Sequence, residues 1–307
     1  HLYHRRQRQM CIRDSRWAAE VNVPAGSAYH HITVHPVNTH IGAFIDGVDV
    51  STPQAPEVYE DIKQALWRHH VVFFRNQPMT PAAHKALAAA FGDIVPHEIF
   101  PSLEGHPEIS VLRANRERPP ENDAWHTDVT FRETPVLASI LQGVTIPPAG
   151  GDTLFASQAA VFDALSPSWQ RMLCELEAEH DVLQAFGPTN VLKDAGGQDK
   201  IAELRRTAPP KVHPVVIAHP VTGRPGIFVN SVFTTRILGV SKLESDAILN
   251  VLFEMIKTPE FQVRFSWQPD SIAIWDNFGT QHYAAGDYWP AVRRMPVSYT
   301  HLRAHET

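Results

Sequence analysis

The sequence predicts a mostly β, α+β chain: a double-stranded β-helix (jelly-roll, cupin-like) core with helices packed outside it. Three observations carry this. Short apolar runs bounded by Gly, Pro, Asn and Asp dominate the C-terminal half. Helical patterns are inserted among these runs rather than alternating with them, unlike a doubly wound parallel sheet. No internal repeat and no clear linker divides the chain, which favours one domain closed on itself.

The elements follow in chain order. Residues 32–50 alternate loosely, with Ile41, Phe44, Ile45, Val48 and Val50 broken by Gly42 and Gly47, as strands and turns do. Pro56 to His70 carries Val58, Ile62, Ala65 and Leu66 at helical spacing. Val71-Val72-Phe73-Phe74 is a buried strand. Thr80 before Pro81 is an N-cap followed by Pro at the first helical position, and that helix runs to about Phe91 before Gly92. Residues 114–124 are polar and Pro-rich, a loop. Strands are expected at Val136–Leu141 and Thr153–Ala156, then helices at about 157–165 and 167–177. Residues 187–200, rich in Gly and Asp, read as a long loop able to act as a lid. Val212–His219 and Gly226–Asn230 flank a Thr222-Gly223 hairpin turn. Ser241 and Glu244 form a capping box opening a helix to about Lys257. Phe261–Trp267 and Ser271–Trp275 are strands around Gln268-Pro269-Asp270.

Composition narrows the function. Apolar residues are 43% of the 307, enough for a sizeable core, and charged residues are 20% without a low-complexity tract. The net charge of −6 and the absence of a Lys/Arg-rich run make nucleic acid an unexpected partner. No apolar stretch reaches the roughly 18 residues that a membrane span needs. Cys11 and Cys174 do not make a disulfide framework, which suits a cytoplasmic location.

Both ends look foreign. Residues 5–15, RRQRQMCIRDS, and 297–307, VSYTHLRAHET, can be spelled by codons that resemble the paired transposase adapters of sequencing libraries. Residues 1–15 and 297–307 are therefore set aside as adapter-derived, leaving 16–296 as one domain. That domain is expected to be truncated at its C-terminus, without the rest of the strand after Arg293.

The chemistry is concentrated in Trp125-His126-Thr127-Asp128 and, far downstream, Gln281-His282-Tyr283 with Arg293. A His-x-Asp pair plus a distant His can place two imidazoles and one carboxylate on one face of a metal, leaving the opposite positions open. Each part is weak alone. His-x-Asp occurs by chance, His282 reads equally as an ordinary histidine, Arg293 as a surface cation beside Asp287, and Thr153 as a plain strand residue. The joint pattern of His-x-Asp, a long gap and then His-x10-Arg is what carries weight.

On these residues the chain resembles the taurine dioxygenase family of Fe(II)/2-oxoglutarate oxygenases, over most of 38–296. The resemblance extends to Asn122 through Phe131, to Gly150-Gly151-Asp152-Thr153-Leu154-Phe155-Ala156-Ser157, to Phe228-Val229-Asn230 with Phe233 to Arg236, and to Trp275-Asp276-Asn277 and Asp287-Tyr288. It implies that His126, Asp128 and His282 hold Fe(II), that Arg293 and Thr153 hold 2-oxoglutarate, and that O2 is the second cosubstrate. It also implies a homo-oligomer and a small anionic organic substrate, taurine or a related alkyl sulfonate. His97 and Asn122 match polar substrate contacts; Val129, Phe131, Phe186 and Phe233 match apolar wall positions. Two departures stand out. Phe100 replaces a Tyr, and Val297 stands where the family places its sulfonate-binding Arg, so weak sulfonate binding is expected of this chain. Other readings are a relative acting on alkyl sulfates or aryloxyalkanoates, an inactive jelly-roll binding protein, and a zinc hydrolase or cupin isomerase with the same ligands. Neither of the last two needs Arg293 and Thr153.

Overall fold

The computed structural model describes residues 29–121, 123–187 and 190–302. Its strands are β1 (Thr33–Pro36), β2 (Ala43–Asp46), β3 (Val71–Phe74), β4 (Asp93–Val95), β5 (Ser102–Leu103), β6 (His106–Ala114), β7 (Ala138–Gln142), β8 (Thr153–Ser157), β9 (Glu177–His180), β10 (Lys211–Pro214), β11 (Val216–Ala218), β12 (Pro225–Ile227), β13 (Thr234–Ile237), β14 (Gln262–Phe265), β15 (Ile272–Asp276), β16 (Thr280–Ala284) and β17 (Arg293–His301). The α-helices are α1 (Pro56–His69), α2 (Pro81–Phe91), α3 (Gln158–Ala164), α4 (Pro167–Cys174), α5 (Val182–Phe186), α6 (Asn190–Asp194), α7 (Gln198–Thr207) and α8 (Lys242–Met255).

The large sheet runs β1-β2-β3-β15-β7-β17-β6-β5, with β4 also paired to β17; a smaller sheet runs β14-β8-β16. Alternation explains how the two face each other. Phe73 of β3 and Trp275 of β15 point inward and meet Phe155 of β8 and Phe265 of β14, Phe73 stacking on Phe265 at 4.2 Å. Val72 and Phe74 point the other way, onto Ile62 and Leu66 of α1 and Leu87 and Phe91 of α2. Burial on both faces is why β3 reads as a continuous apolar run rather than an alternating one. The expected jelly-roll layout with outer helices is thus present. The starts of α2 and α8 also follow the sequence: Thr80 Oγ1 accepts the Ala83 N–H, and Ser241 and Glu244 form the capping box of α8.

Four expectations change. The 187–200 segment is not one long loop: α6 and the start of α7 lie in it, joined through Gly196 and Gly197 at φ 130° and 59°. The helix from Pro167 stops at Cys174, and Glu177 opens β9 instead. The run 212–219 splits into β10, paired with β9, and β11, paired with β12. The strand from Arg293 does not break off at Pro296. It continues to His301, with Met295, Val297 and Tyr299 in the barrel core and Ser298 and Thr300 buried on the other side. The Val-Ser-Tyr-Thr stretch has the alternation and β-propensity that a strand between β6 and β7 requires.

A buried strut fixes the turn that leads into the second histidine of the motif. His70, with φ 62°, closes α1 and its Nδ1 lies 3.2 Å from Asp276 Oδ2. His219 Nδ1 accepts the Val221 and Thr222 N–H groups, so its Nε2 carries the proton facing Asp276 Oδ1 at 3.2 Å. Burial holds His70 below the usual histidine range and lowers His84 to about 4. In the unfolded chain such groups titrate near pH 6.5. Between that value and the folded one, the unfolded state binds more protons. Stability is therefore full above about pH 6.5 and falls as the pH drops, with His84 alone losing about 2 kcal/mol at pH 5. We expect the melting temperature to decline steadily from pH 7 to pH 5. A flat profile across that interval contradicts this account of the core.

Candidate metal centre and active site

The two halves of the histidine motif meet through the backbone. His126 N–H donates to the His282 carbonyl at 3.0 Å, and His282 N–H donates back to the His126 carbonyl at 2.7 Å. Residues paired this way in antiparallel strands project their side chains to the same side, and the two rings lie 4.1 Å apart. Asp128, two residues on, joins that face. Its Oδ1 is 3.8 Å from His126 Nε2 and 3.6 Å from His282 Nε2, and the three ligand atoms all lie within 4.8 Å of one another.

Hydrogen bonds select the atoms that face inward. His126 Nδ1 donates to the Ala124 carbonyl at 2.8 Å, which leaves Nε2 with its lone pair. His282 is wedged between Trp275 and Phe155, and burial holds it well below the usual histidine range, so its imidazole is neutral. Burial pushes the Asp128 carboxyl up, against the pull of His126 and Ser139. Ser139 Oγ donates to Asp128 Oδ2 at 2.7 Å and accepts from Asn277 Nδ2 at 2.9 Å; Trp275 Nε1 donates to Asn277 Oδ1 at 3.2 Å. Oδ1 is thereby left free. Two imidazoles and a desolvated carboxylate converging on one side of a cavity fit Fe(II). The supporting Ser139 and Asn277 have no role in the sequence reading. The signal for Ser139 was a polar residue in the apolar run 136–141, fully buried in the structure. We expect Ser139→Ala to weaken Fe(II) binding roughly 10- to 100-fold, as loss of an outer hydrogen bond to a ligand does. Fe(II) titration that matches the unsubstituted protein would deny Ser139 that part.

Thr153 and Arg293 line the same cavity as the triad. Thr153 Oγ1 accepts from Trp267 Nε1 at 2.9 Å, so its own proton is available to a ligand. The turn before it requires glycine: Gly150 has φ +74°, and a Cβ there would sit 2.7 Å from Asp287 Oδ1. Arg293 is 6% exposed, packed near Trp267 and Tyr288, and its Nε and Nη2 have no hydrogen-bond partner. Burial lowers its pKa, but a guanidinium remains charged in a protein. A buried fork with open donors calls for an anion with paired oxygens.

On the substrate side, His97, Val129, Phe186 and Phe233 line the cavity. His97 Nδ1 accepts the Ile99 and Phe100 N–H groups at 3.1 and 3.2 Å, so Nε2 carries the proton; burial lowers its pKa to about 3. Arg132 holds this turn by bonding Glu98 and the Pro96 carbonyl. Val129 has φ +46°, a strained value for a β-branched residue directly after a ligand. Phe131 is a correction: it is 1% exposed and stands behind the wall, 5.3 Å from the Phe233 ring, rather than lining it. Asn122 lies outside the described residues. Tyr299 and Arg118 also line the cavity without a part in the sequence reading, and Val297 lines it at the position where the resemblance places a sulfonate-binding Arg.

The chain is similar to known proteins over most of its length. The family model described as "Taurine catabolism dioxygenase TauD, TfdA family" matches residues 33–299. An alkylsulfatase of Acinetobacter baylyi is 33% identical over 266 residues, 84% of this chain and 82% of the relative. An alpha-ketoglutarate-dependent sulfate ester dioxygenase of Pseudomonas putida is 34% identical over 274 residues, 87% of this chain and 89% of its own length. The crystal structure of a taurine dioxygenase from Burkholderia xenovorans superposes with a TM-score of 0.75 at 34% identity, covering 88% of this chain and 89% of that one.

Proposed function

This chain belongs to the TauD/TfdA family, and from that premise we propose that it is an Fe(II)- and 2-oxoglutarate-dependent dioxygenase that hydroxylates the carbon bearing a sulfonate, as in taurine, or a sulfate ester. The observation that carries this is the reciprocal His126–His282 backbone pair with Asp128 in one cavity with Arg293, whose Nε and Nη2 have no partner. The sulfate ester arm gains support from the two bacterial relatives.

His126, Asp128 and His282 would hold Fe(II), which when bound supplies the redox chemistry that couples decarboxylation of 2-oxoglutarate to hydroxylation by O2. Arg293 takes the distal carboxylate through its open Nε and Nη2 donors, and Thr153 donates its hydroxyl proton to the same group. His97 offers Nε2–H to an oxygen of the substrate head group. Val129, Phe186 and Phe233 hold the organic portion and keep water out. Hydroxylation of the carbon next to sulfur or sulfate oxygen gives an adduct that collapses to an aldehyde, with sulfite leaving from a sulfonate and sulfate from an ester. The same reading includes a homo-oligomer in the cytoplasm. It also includes an adapter origin for 1–15 and 297–307, which reading the source DNA through independent library chemistry tests.

The deciding experiment incubates the protein with Fe(II), 2-oxoglutarate and O2 over a panel of taurine, alkyl sulfonates, alkyl sulfates and aryloxyalkanoates. Equal amounts of succinate and of sulfite or sulfate are expected. Succinate formed only with aryloxyalkanoates moves the substrate class; none with any member sinks the proposal.

A further inference from the structure

Val297 is 1% exposed on the cavity wall, so β17 brings no cation to the substrate side. Among the described residues that line the cavity, the arginines are Arg113, Arg118 and Arg293. Arg293 is assigned to 2-oxoglutarate. Arg113 is exposed on β6, where a hydrated guanidinium gains little from an added anion. Arg118 differs. Its side chain is 24% exposed, and a two-way backbone bond between Asn115 and Arg118 fixes the turn that carries it. Its guanidinium is held by Asp194, at the end of α6.

We infer that Arg118 is the residue that recognises the anionic head group of the substrate, in exchange for Asp194. The inference rests on the sulfonate or sulfate reading above. A largely buried guanidinium needs a counter-anion, and a carboxylate half exposed to water, as Asp194 is, is exchanged at small cost. Glu121 lines the same cavity, so the field there is not broadly positive. Selection then depends on geometry: a sulfo group presents paired oxygens to the planar fork, as a carboxylate does. The apolar remainder of the wall, including Phe100, Leu112 and Val232, takes the organic chain. Substrate entry is thereby coupled to the contact between the 115–118 turn and α6.

The test compares unsubstituted protein with Arg118→Gln and Asp194→Asn, each loaded anaerobically with Fe(II) and 2-oxoglutarate. Binding of hexyl sulfate, hexanesulfonate and hexanol is followed by calorimetry, and KM and kcat are then measured in air. Arg118→Gln should weaken both anions roughly 10- to 100-fold, the value of a charge-assisted bond, through KM rather than kcat. Hexanol binding and the visible Fe(II)–2-oxoglutarate band should not change. Asp194→Asn should tighten the anions a few-fold, because it frees the guanidinium. Anion binding unchanged in Arg118→Gln overturns the inference, and so does Asp194→Asn weakening the anions as much as Arg118→Gln, which would make the pair purely structural. Because binding is read without turnover, hexyl sulfate that binds through Arg118 yet yields no succinate counts against the proposed reaction and not against this site.

Discussion

Asp128→Asn and His282→Ala are each expected to abolish substrate-dependent succinate formation, by about 10³-fold or more, while the protein stays folded. A loss of that size corresponds to about 4 kcal/mol of transition-state stabilisation. It follows from the way the centre is built. Asp128 offers the one carboxylate oxygen that faces both Nε2 atoms, at 3.8 and 3.6 Å. Asn at this position keeps the shape and still accepts from Ser139, but it loses the charge that partners a divalent ion. His282→Ala removes a ligand yet retains the backbone pair with His126, since that pair uses only main-chain groups. Metal analysis after Fe(II) loading and desalting, alongside circular dichroism, separates the two effects. Stoichiometric iron with unchanged turnover in either variant would remove the triad from the mechanism.

Arg293→Leu should separate function from stability in opposite directions. Loss of the fork should raise the 2-oxoglutarate concentration required for half-maximal rate by about 100-fold, the worth of a bidentate charge-assisted contact. The cosubstrate-free protein should melt no lower than the unsubstituted chain, and higher if anything. Arg293 is 6% exposed with Nε and Nη2 unpartnered, and replacing such a charge with an apolar side chain removes a desolvation cost. Arg293→Lys should not restore affinity, because an ammonium cannot form two parallel bonds to a carboxylate. Thermal shift with and without 2-oxoglutarate reads both halves. A large fall in melting temperature of the free protein would mean that Arg293 is chiefly structural.

How much was legible beforehand depended on whether local pattern or long-range contact decides a residue's part. β3, α1, α2 and α8 were readable because apolar spacing, Thr80, Pro81 and the Ser241–Glu244 box act within a turn or two of chain. The triad was readable because its residue types are chemically restrictive, although His126 and His282 are 156 positions apart. Residues 187–200 were misread because Gly196 and Gly197 and the Asp content suggested loop, whereas Leu192 and Leu204, both 1% exposed, anchor α6 and α7 to the core. The strand to His301 is a matter of β pattern, which pairs in register with β6 and β7 whatever the origin of residues 297–301. Ser139, Asn277 and Trp267 act only through partners brought in by the fold, Trp267 bonding Thr153 across 114 positions. Phe131 stands among the expected wall residues only through its match to a family position, and in the structure its ring packs against that of Phe233.

The most direct test is an anaerobic optical titration. The protein loaded with Fe(II) should develop a weak visible charge-transfer band on addition of 2-oxoglutarate, saturating at one equivalent. That band should be absent in His282→Ala and should need far more 2-oxoglutarate in Arg293→Leu. Iron bound at full stoichiometry with no band, or substrate turnover supported by Zn(II) in place of Fe(II), would contradict the dioxygenase account.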